Sequence, residues 1–212
     1  MQIAILLYEG FTALDAIGPY QTLNPLPDAD ALFVAEHAGP VTDDNGTLTV
    51  TPAKTLAEVQ RPDIVVVPGG PSENVEPQMA NPAVVEWLRT ADAHSTWTTS
   101  VCTGSLLLGA AGFLKGRRAT SHWLALDALA GLGAEPTGER VVFDGKYVTA
   151  AGVSSGIDMG LALAGEIAGD PYAQGIQLMI EYDPRPPYDA GSPEKAPAEL
   201  VERFRAGAAA QA

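Results

Sequence analysis

Two short runs, QIAILL at 2–7 and IVVV at 64–67, are apolar at nearly every position. A strand with one face in water alternates. A run that does not alternate suits a strand covered on both faces, as inside a parallel sheet. The second run is sharply bounded: Asp63 precedes it and Pro68-Gly69-Gly70 ends it. Around these runs, strand-like and helix-like stretches take turns. Residues 31–35 read as a further strand, and STWTTSV at 95–101 as another that leads straight into Cys102. LDAIGPYQTL carries Gly18-Pro19 near an expected helix start. Asn81 is placed to cap NPAVVEWLRTADA, and Pro82 suits its first turn. TGSLLLGAAGFL is helical and apolar nearly all round, so it belongs inside. SHWLALDALAGLG is a helix with Gly131 or Gly133 as its stop. DDNG at 43–46 marks a turn, and ERVVFDGKYVTAAG a hairpin through Asp144-Gly145. Helical stretches at 155–168 and 171–182 follow. The whole predicts an α/β sandwich, a mostly parallel sheet with helices on both faces. The 212 residues read as one domain over 1–212, with an irregular Pro-rich strap at 183–197 and a C-terminal helix.

Charge and cysteine usage narrow the partners. The formal net charge is −14. An acidic surface repels phosphate backbones and anionic lipid, so neither nucleic acid nor membrane is expected. MQIAILLYEG has no basic leader region, and its apolar run is too short to span a bilayer. A single cysteine, Cys102, makes no internal disulfide. A cytoplasmic location is the expectation.

The pattern at Cys102 is strand, Cys, Thr-Gly-Ser, helix. A nucleophile elbow has this arrangement, here with Cys in place of Ser. The turn needs small neighbours, and Ser100 and Gly104 flank it two residues away on each side. The serine form usually has Gly at the earlier site. Such a turn presents the sulfur at the carboxyl end of the sheet, where open α/β sheets hold ligands. A helix N-terminus behind the sulfur predicts a lowered thiol pKa. Spacing alone does not choose between this and a small buried cysteine. Two features add to the first reading. Gly69-Gly70 closes the neighbouring strand with exposed N–H groups that, with the N–H of Thr103, form an expected anion hole. Asp15 follows the first strand on the same edge of the sheet, although taken alone it reads as a helix-capping aspartate.

SVCTGSLLLGAAGFLKGRRATSHW, LDAIGP, IVVVPGG and PPYDAGSPEKAP together resemble the DJ-1/PfpI superfamily, and within it the isocyanide hydratases. The resemblance runs from residue 3 to about 197, and its Cys102 stretch is shared with the sensor domains of AraC-type regulators. It implies a flavodoxin-like sandwich, a homodimer, Cys102 as nucleophile, Asp15 as catalytic carboxylate and Thr103 in support. Gly70 and Thr103 are the expected oxyanion and substrate contacts. Many superfamily members have Glu at the acid position and His directly after the nucleophile. Asp15 and Thr103 stand there instead, which turns the reading from protease or glyoxalase toward hydratase. PSEN after Gly70 is a more polar loop than expected of near relatives.

The activity implied is hydration of a small-molecule isocyanide to an N-substituted formamide, with water as co-substrate and no metal or cofactor. The alternatives are another cysteine-dependent activity of the superfamily, glyoxalase or deglycase, and a non-enzymatic redox or ligand sensor. A regulator of the AraC type carries a helix-turn-helix after its sensor, which an acidic chain ending at Ala212 is not expected to supply. His122 is placed in packing beside Trp123, His37 and His94 in solvent, and GRR at 116–118 in a surface turn. Trp87 and Trp97 read as core or half-buried.

Overall fold

In the computed structural model, which describes residues 1–209, the two apolar runs lie side by side at the centre of one sheet. The first half of the chain forms β1 (Gln2–Leu6), α1 (Ala13–Leu23), β2 (Asp30–Ala35), β3 (Val41–Thr42), β4 (Thr49–Val50), β5 (Lys54–Thr55) and β6 (Ile64–Val67). Next come α2 (Ser72–Met79), α3 (Pro82–Asp92), β7 (Trp97–Val101), α4 (Gly104–Ala110), β8 (Arg118–Ala119), α5 (Leu126–Gly131) and β9 (Glu135–Pro136). The chain continues with β10 (Val141–Asp144), β11 (Tyr147–Ala150), α6 (Ser155–Ala168), α7 (Asp170–Met179) and α8 (Ala198–Ala209). The main sheet has seven strands in the order β10-β11-β7-β6-β1-β2-β5. Only the β10–β11 hairpin is antiparallel within it.

The strand order explains the apolar runs. β1 and β6 are central, and residues 3–6 and 64–67 are fully buried. The chain first builds outward from β1 through β2 to β5, then returns to β6 on the other side of β1. The order of strands reverses between β1 and β6, which opens a crevice at their carboxyl ends. The loops after β1, β6 and β7 meet there.

Several local expectations hold. The Asn81 side chain accepts from the N–H of Ala83 at 3.0 Å, and Pro82 opens α3. DDNG turns a small β3–β4 hairpin. Trp87 is buried, and its indole N–H donates to the Val59 carbonyl at 2.7 Å. Arg117 pairs with Asp144 at 2.9 Å at the surface.

Three expectations change. Gly18-Pro19 sits in the middle of α1, not near its start. Pro19 has no N–H to donate and so breaks one helical bond. Packing sustains the helix there: a Cβ on Gly156 of α6 would come within 3.2 Å of Pro19 Cδ, so the two helices touch almost backbone to backbone. PSEN is not a loop, since Ser72 begins α2 and the N–H groups of Asn74 and Val75 both donate to the Pro71 carbonyl at 3.0 Å. α7 stops at Met179 rather than at 182, because Glu181 takes a left-handed conformation with φ +54°. Residues 183–197 form turns and bends without strand or helix. No helix among the described residues is long and apolar enough to cross a membrane.

Candidate active site

Cys102 is the residue between β7 and the turn that opens α4, and its φ is +58°. That conformation costs an L-residue about 1–2 kcal/mol. Hydrogen bonds on both sides hold it. The Cys102 N–H donates to the carbonyls of Ala150 at 3.1 Å and Ala151 at 2.9 Å. Its carbonyl accepts from the hydroxyls of Ser105 at 3.2 Å and Ser121 at 3.1 Å. The turn also needs bare backbone beside it. A Cβ on Gly104 would lie 2.2 Å from the Val67 carbonyl oxygen, so only glycine lets α4 start this close to the end of β6.

Asp15 reaches the same point from the first turn of α1. It is fully buried, and its Oδ2 accepts the Gly69 N–H at 2.9 Å. Among the described residues its Oδ1 has no hydrogen-bond partner. The Cys102 thiol is the one side chain whose hydrogen bonding lowers the carboxyl's pKa. The Thr103 hydroxyl donates to the Gly70 carbonyl at 2.7 Å and lies 2.9 Å from the Gly70 N–H, which donates to it. The N–H groups of Gly69 and Gly70 are therefore not exposed donors, as the sequence suggested. Gly69 grips Asp15 and Gly70 is bonded to Thr103. The physical reason is close approach: a Cβ on Gly69 would stand 2.5 Å from Thr103 Oγ1 and 3.0 Å from Asp15 Oδ2.

Burial governs the protonation of both reactive groups. It pushes the Asp15 carboxyl up to about 7, against the Gly69 and Cys102 hydrogen bonds that pull it down, and the Asp44 charge adds to the rise. Burial also pushes the Cys102 thiol up to about 12, and the charge of Asp15 adds to that rise. The N–H groups of Val153 and Thr103, and the Thr103 hydroxyl, oppose it without prevailing. The expected lowering by a helix N-terminus is thus overturned. Cys102 is 6% exposed, and desolvation beside a carboxylate outweighs the dipole of a seven-residue helix. At neutral pH the thiol keeps its proton and the carboxyl shares one with the solvent.

Several neighbours escaped the sequence reading. Tyr8 is buried, and its hydroxyl donates to the Pro68 carbonyl at 3.0 Å. Burial and the charges of Asp15 and Cys102 hold its pKa well above the usual range. Thr12 donates its N–H to the Gly69 carbonyl at 2.8 Å and its hydroxyl to Asp44 at 2.7 Å. Tyr8 was hidden at the end of an apolar run. Val153 acts through its backbone and leaves no side-chain signal.

His122 stays out of this group. Its ring lies 5.9 Å from that of Trp123, its Nδ1 accepts from the Leu124 N–H at 3.4 Å, and burial lowers its pKa. His37 and His94 are exposed. A cavity of about 490 Å³ has a lining that includes Ser121, His122, Trp123 and Val153 together with Gly191 and Pro193 of the strap. The Pro-rich segment therefore walls a space that it shares with Ala151 and Ser121, hydrogen-bond partners of the Cys102 backbone.

The DJ-1/PfpI family model matches residues 1–166. The chain is 44% identical over 209 residues to the isonitrile hydratase of Pseudomonas putida, covering 99% of this chain and 90% of that one. It is 33% identical over 185 residues to the HTH-type transcriptional regulator CdhR of Pseudomonas aeruginosa, covering 83% of this chain and 52% of that one. Among solved structures, a ThiJ/PfpI family protein from Pseudomonas syringae superposes with a TM-score of 0.94 at 41% identity, over 98% of this chain and 86% of that one.

Proposed function

The chain belongs to the DJ-1/PfpI family, and from that premise we propose that it is an isocyanide hydratase acting through Cys102, Asp15 and Thr103. One observation carries the reading: the fully buried Asp15 carboxyl, which burial pushes up to about 7, and the buried Cys102 thiol lie together where three loops meet. The terminal carbon of an isocyanide holds a lone pair and resists nucleophiles unless it gains a proton as they add. A thiol that keeps its proton beside a carboxyl that titrates near neutrality meets that demand.

The steps follow from the groups present. Asp15 as carboxylate takes the Cys102 proton and passes it to the isocyanide carbon while the sulfur bonds to the same carbon. The adduct is a thioimidate, in which R–N=CH– is held on Cys102. Asp15 is again ionised and accepts a proton from water as the water oxygen adds to that carbon. Asp15 passes that proton to the nitrogen, the carbon–sulfur bond of the tetrahedral adduct breaks, and the leaving sulfur takes the second proton of the added water, relayed by Asp15. An N-substituted formamide leaves, with one water consumed. We read the strand–Cys102–helix turn as a nucleophile elbow, whose left-handed φ aims the sulfur at the crevice. Gly70 and Thr103 are the substrate-holding pair. Their mutual bonds in the resting site yield one donor to the substrate nitrogen, or to oxygen as the water adds.

We extend the reading to a cytoplasmic homodimer. Leu178 and Met179 on α7 and Tyr188 in the strap are exposed large apolar side chains that suit a partner copy. The test is formamide production from an alkyl and an aryl isocyanide by the wild type, Cys102→Ala and Asp15→Ala. Turnover that both substitutions abolish supports the scheme, and turnover surviving in Cys102→Ala overturns it. A wild type that is inactive on isocyanides but active on methylglyoxal points instead to the deglycase-like chemistry of the superfamily.

A further inference from the structure

We infer that Asp44, in the turn of the β3–β4 hairpin, is a positioning residue for Asp15, holding a second negative charge at the start of α1 and so setting the pH at which turnover begins. The effect on turnover rests on the hydratase reading; the hold on Asp15 does not.

The start of α1 departs from the usual helix cap. Thr12 is its N-cap residue and Asp15 stands three positions on. At that spacing a hydroxyl and an acid commonly cap each other's backbone N–H groups. Neither side chain does so here. The Thr12 hydroxyl makes no cap and donates instead to Asp44 Oδ2 at 2.7 Å. The Thr12 N–H, which a capping box would give to Asp15, donates to the Gly69 carbonyl at 2.8 Å. Asp15 Oδ2 accepts the Gly69 N–H at 2.9 Å. Asp44, Thr12, Gly69 and Asp15 thus form one connected chain from the hairpin to the reactive carboxyl.

The hairpin is fixed in this place. The Asp44 N–H donates to the Phe11 carbonyl at 3.0 Å, and Phe11, fully buried, bridges to Asp43. Asp43 Oδ1 accepts the N–H groups of Thr47 and Leu48, each at 3.0 Å, which closes the turn. Asp44 Oδ1 accepts the neutral Asn45 amide at 2.9 Å. Among the described residues no cation pairs with Asp44.

The positive end of a helix stabilises a carboxylate. Two carboxylates at one helix end share that stabilisation and repel each other, so Asp15 gives up its proton less readily. Asp44 is half-buried, where solvent screens its charge incompletely. The other titratable groups around Asp15 are Tyr8 and Cys102, and both keep their protons at neutral pH. Gly69 and Gly70 bring backbone alone, and α6 meets α1 through Gly156 and Ile157. Asp44 is therefore the charged neighbour of Asp15 among the described residues, and it adds to the rise that burial causes in the carboxyl's pKa.

The experiment follows the Asp15 carboxyl by NMR in protein made with carbon-13 aspartate, its signal identified by loss in Asp15→Asn. Asp44→Asn keeps an oxygen for the Thr12 hydroxyl and removes the charge. Asp44→Ser removes the charge with a shorter side chain. Both are expected to lower the Asp15 midpoint by about half a pH unit. The acid limb of kcat/KM on methyl isocyanide should follow, so that near pH 6 each variant reaches an about threefold larger fraction of its own plateau. Should either variant fail to fold, the other reads the same midpoint. An unmoved midpoint makes Asp44 a tether only and overturns the inference. A lowered midpoint with an unmoved acid limb overturns the link to turnover. A wild type inactive on isocyanides, with the midpoint still lowered in the variants, overturns the hydratase reading and leaves the hold of Asp44 on Asp15 standing.

Discussion

Replacing Asp15 by asparagine should make the protein more stable and catalytically dead, with a gain that depends on pH. The buried carboxyl is raised from 3.8 to about 7. At about 1.4 kcal/mol for each factor of ten, that rise corresponds to about 4 kcal/mol. The sign follows from proton binding. Between the two pKa values the folded state holds a proton that the unfolded state has lost, so stability falls as pH rises. The wild type has the full benefit below about pH 4, and loses it progressively until about pH 7, where Asp15 ionises in the fold. An amide has no charge to bury and can still accept the Gly69 N–H. Near pH 4 it faces a neutral acid of the same shape, and the two proteins should differ little. At about pH 8 the variant should lead by about 2–4 kcal/mol, the lower figure allowing for water that enters around the ionised carboxylate. Urea unfolding at both pH values, at one protein concentration, measures the difference. Stability curves that run parallel from about pH 4 to 8 would refute the reasoning, because the carboxylate would then carry no desolvation cost.

Three other outcomes follow from the same geometry. Turnover should require Asp15 as the carboxylate, so kcat/KM should rise about tenfold per pH unit below about 7 and level off above it; a profile that instead rises toward alkaline pH would assign the activating step to the thiol. Cys102→Gly should be more stable than Cys102→Ala by about 1 kcal/mol in thermal unfolding, because φ +58° strains alanine and not glycine; equal melting would mean that the turn relaxes in the variants. Tyr8→Phe strands the buried Pro68 carbonyl 3.0 Å from where the hydroxyl stood and should cost about 1–3 kcal/mol in urea unfolding, whereas a neutral result would show that water takes the place of the hydroxyl.

What the residues alone disclosed, and what they withheld, divides along the range of the forces involved. The central strands were legible because burial on both faces leaves a local mark, an apolar run without alternation, and β1 and β6 carry it. The Cys102 turn was legible for a similar reason: small residues on each side are a local steric demand, visible at Ser100 and Gly104. Pro19 inside α1 was not, because proline's local bias against a helix is outweighed by packing on glycines of α6, which lie far along the chain. The destination of the Gly69 and Gly70 N–H groups was hidden for the same reason. Their partners, Asp15 and Thr103, come from different loops that only the strand order brings together.

The thiol shows why this division matters for chemistry. Two effects act on Cys102 with opposite signs. The helix N-terminus is a local feature that any reader of strand–Cys–helix will see, and it favours the thiolate by a partial charge that fades within a turn. Desolvation comes from burial of the sulfur where three loops meet, the Asp15 charge adds to it, and no stretch of sequence announces either. The second effect wins and takes the thiol to about 12. A free thiolate would be the better nucleophile toward an ordinary electrophile, so on that ground alone the site looks poorly tuned. For an isocyanide the proposed scheme makes use of this tuning. The attacked carbon must receive a proton in the same event, and a thiol that keeps its proton beside a carboxylate able to carry it supplies both partners of the addition. On the proposed scheme, a protonated thiol beside a buried carboxyl, a poor pairing for a general-purpose cysteine nucleophile, suits an isocyanide.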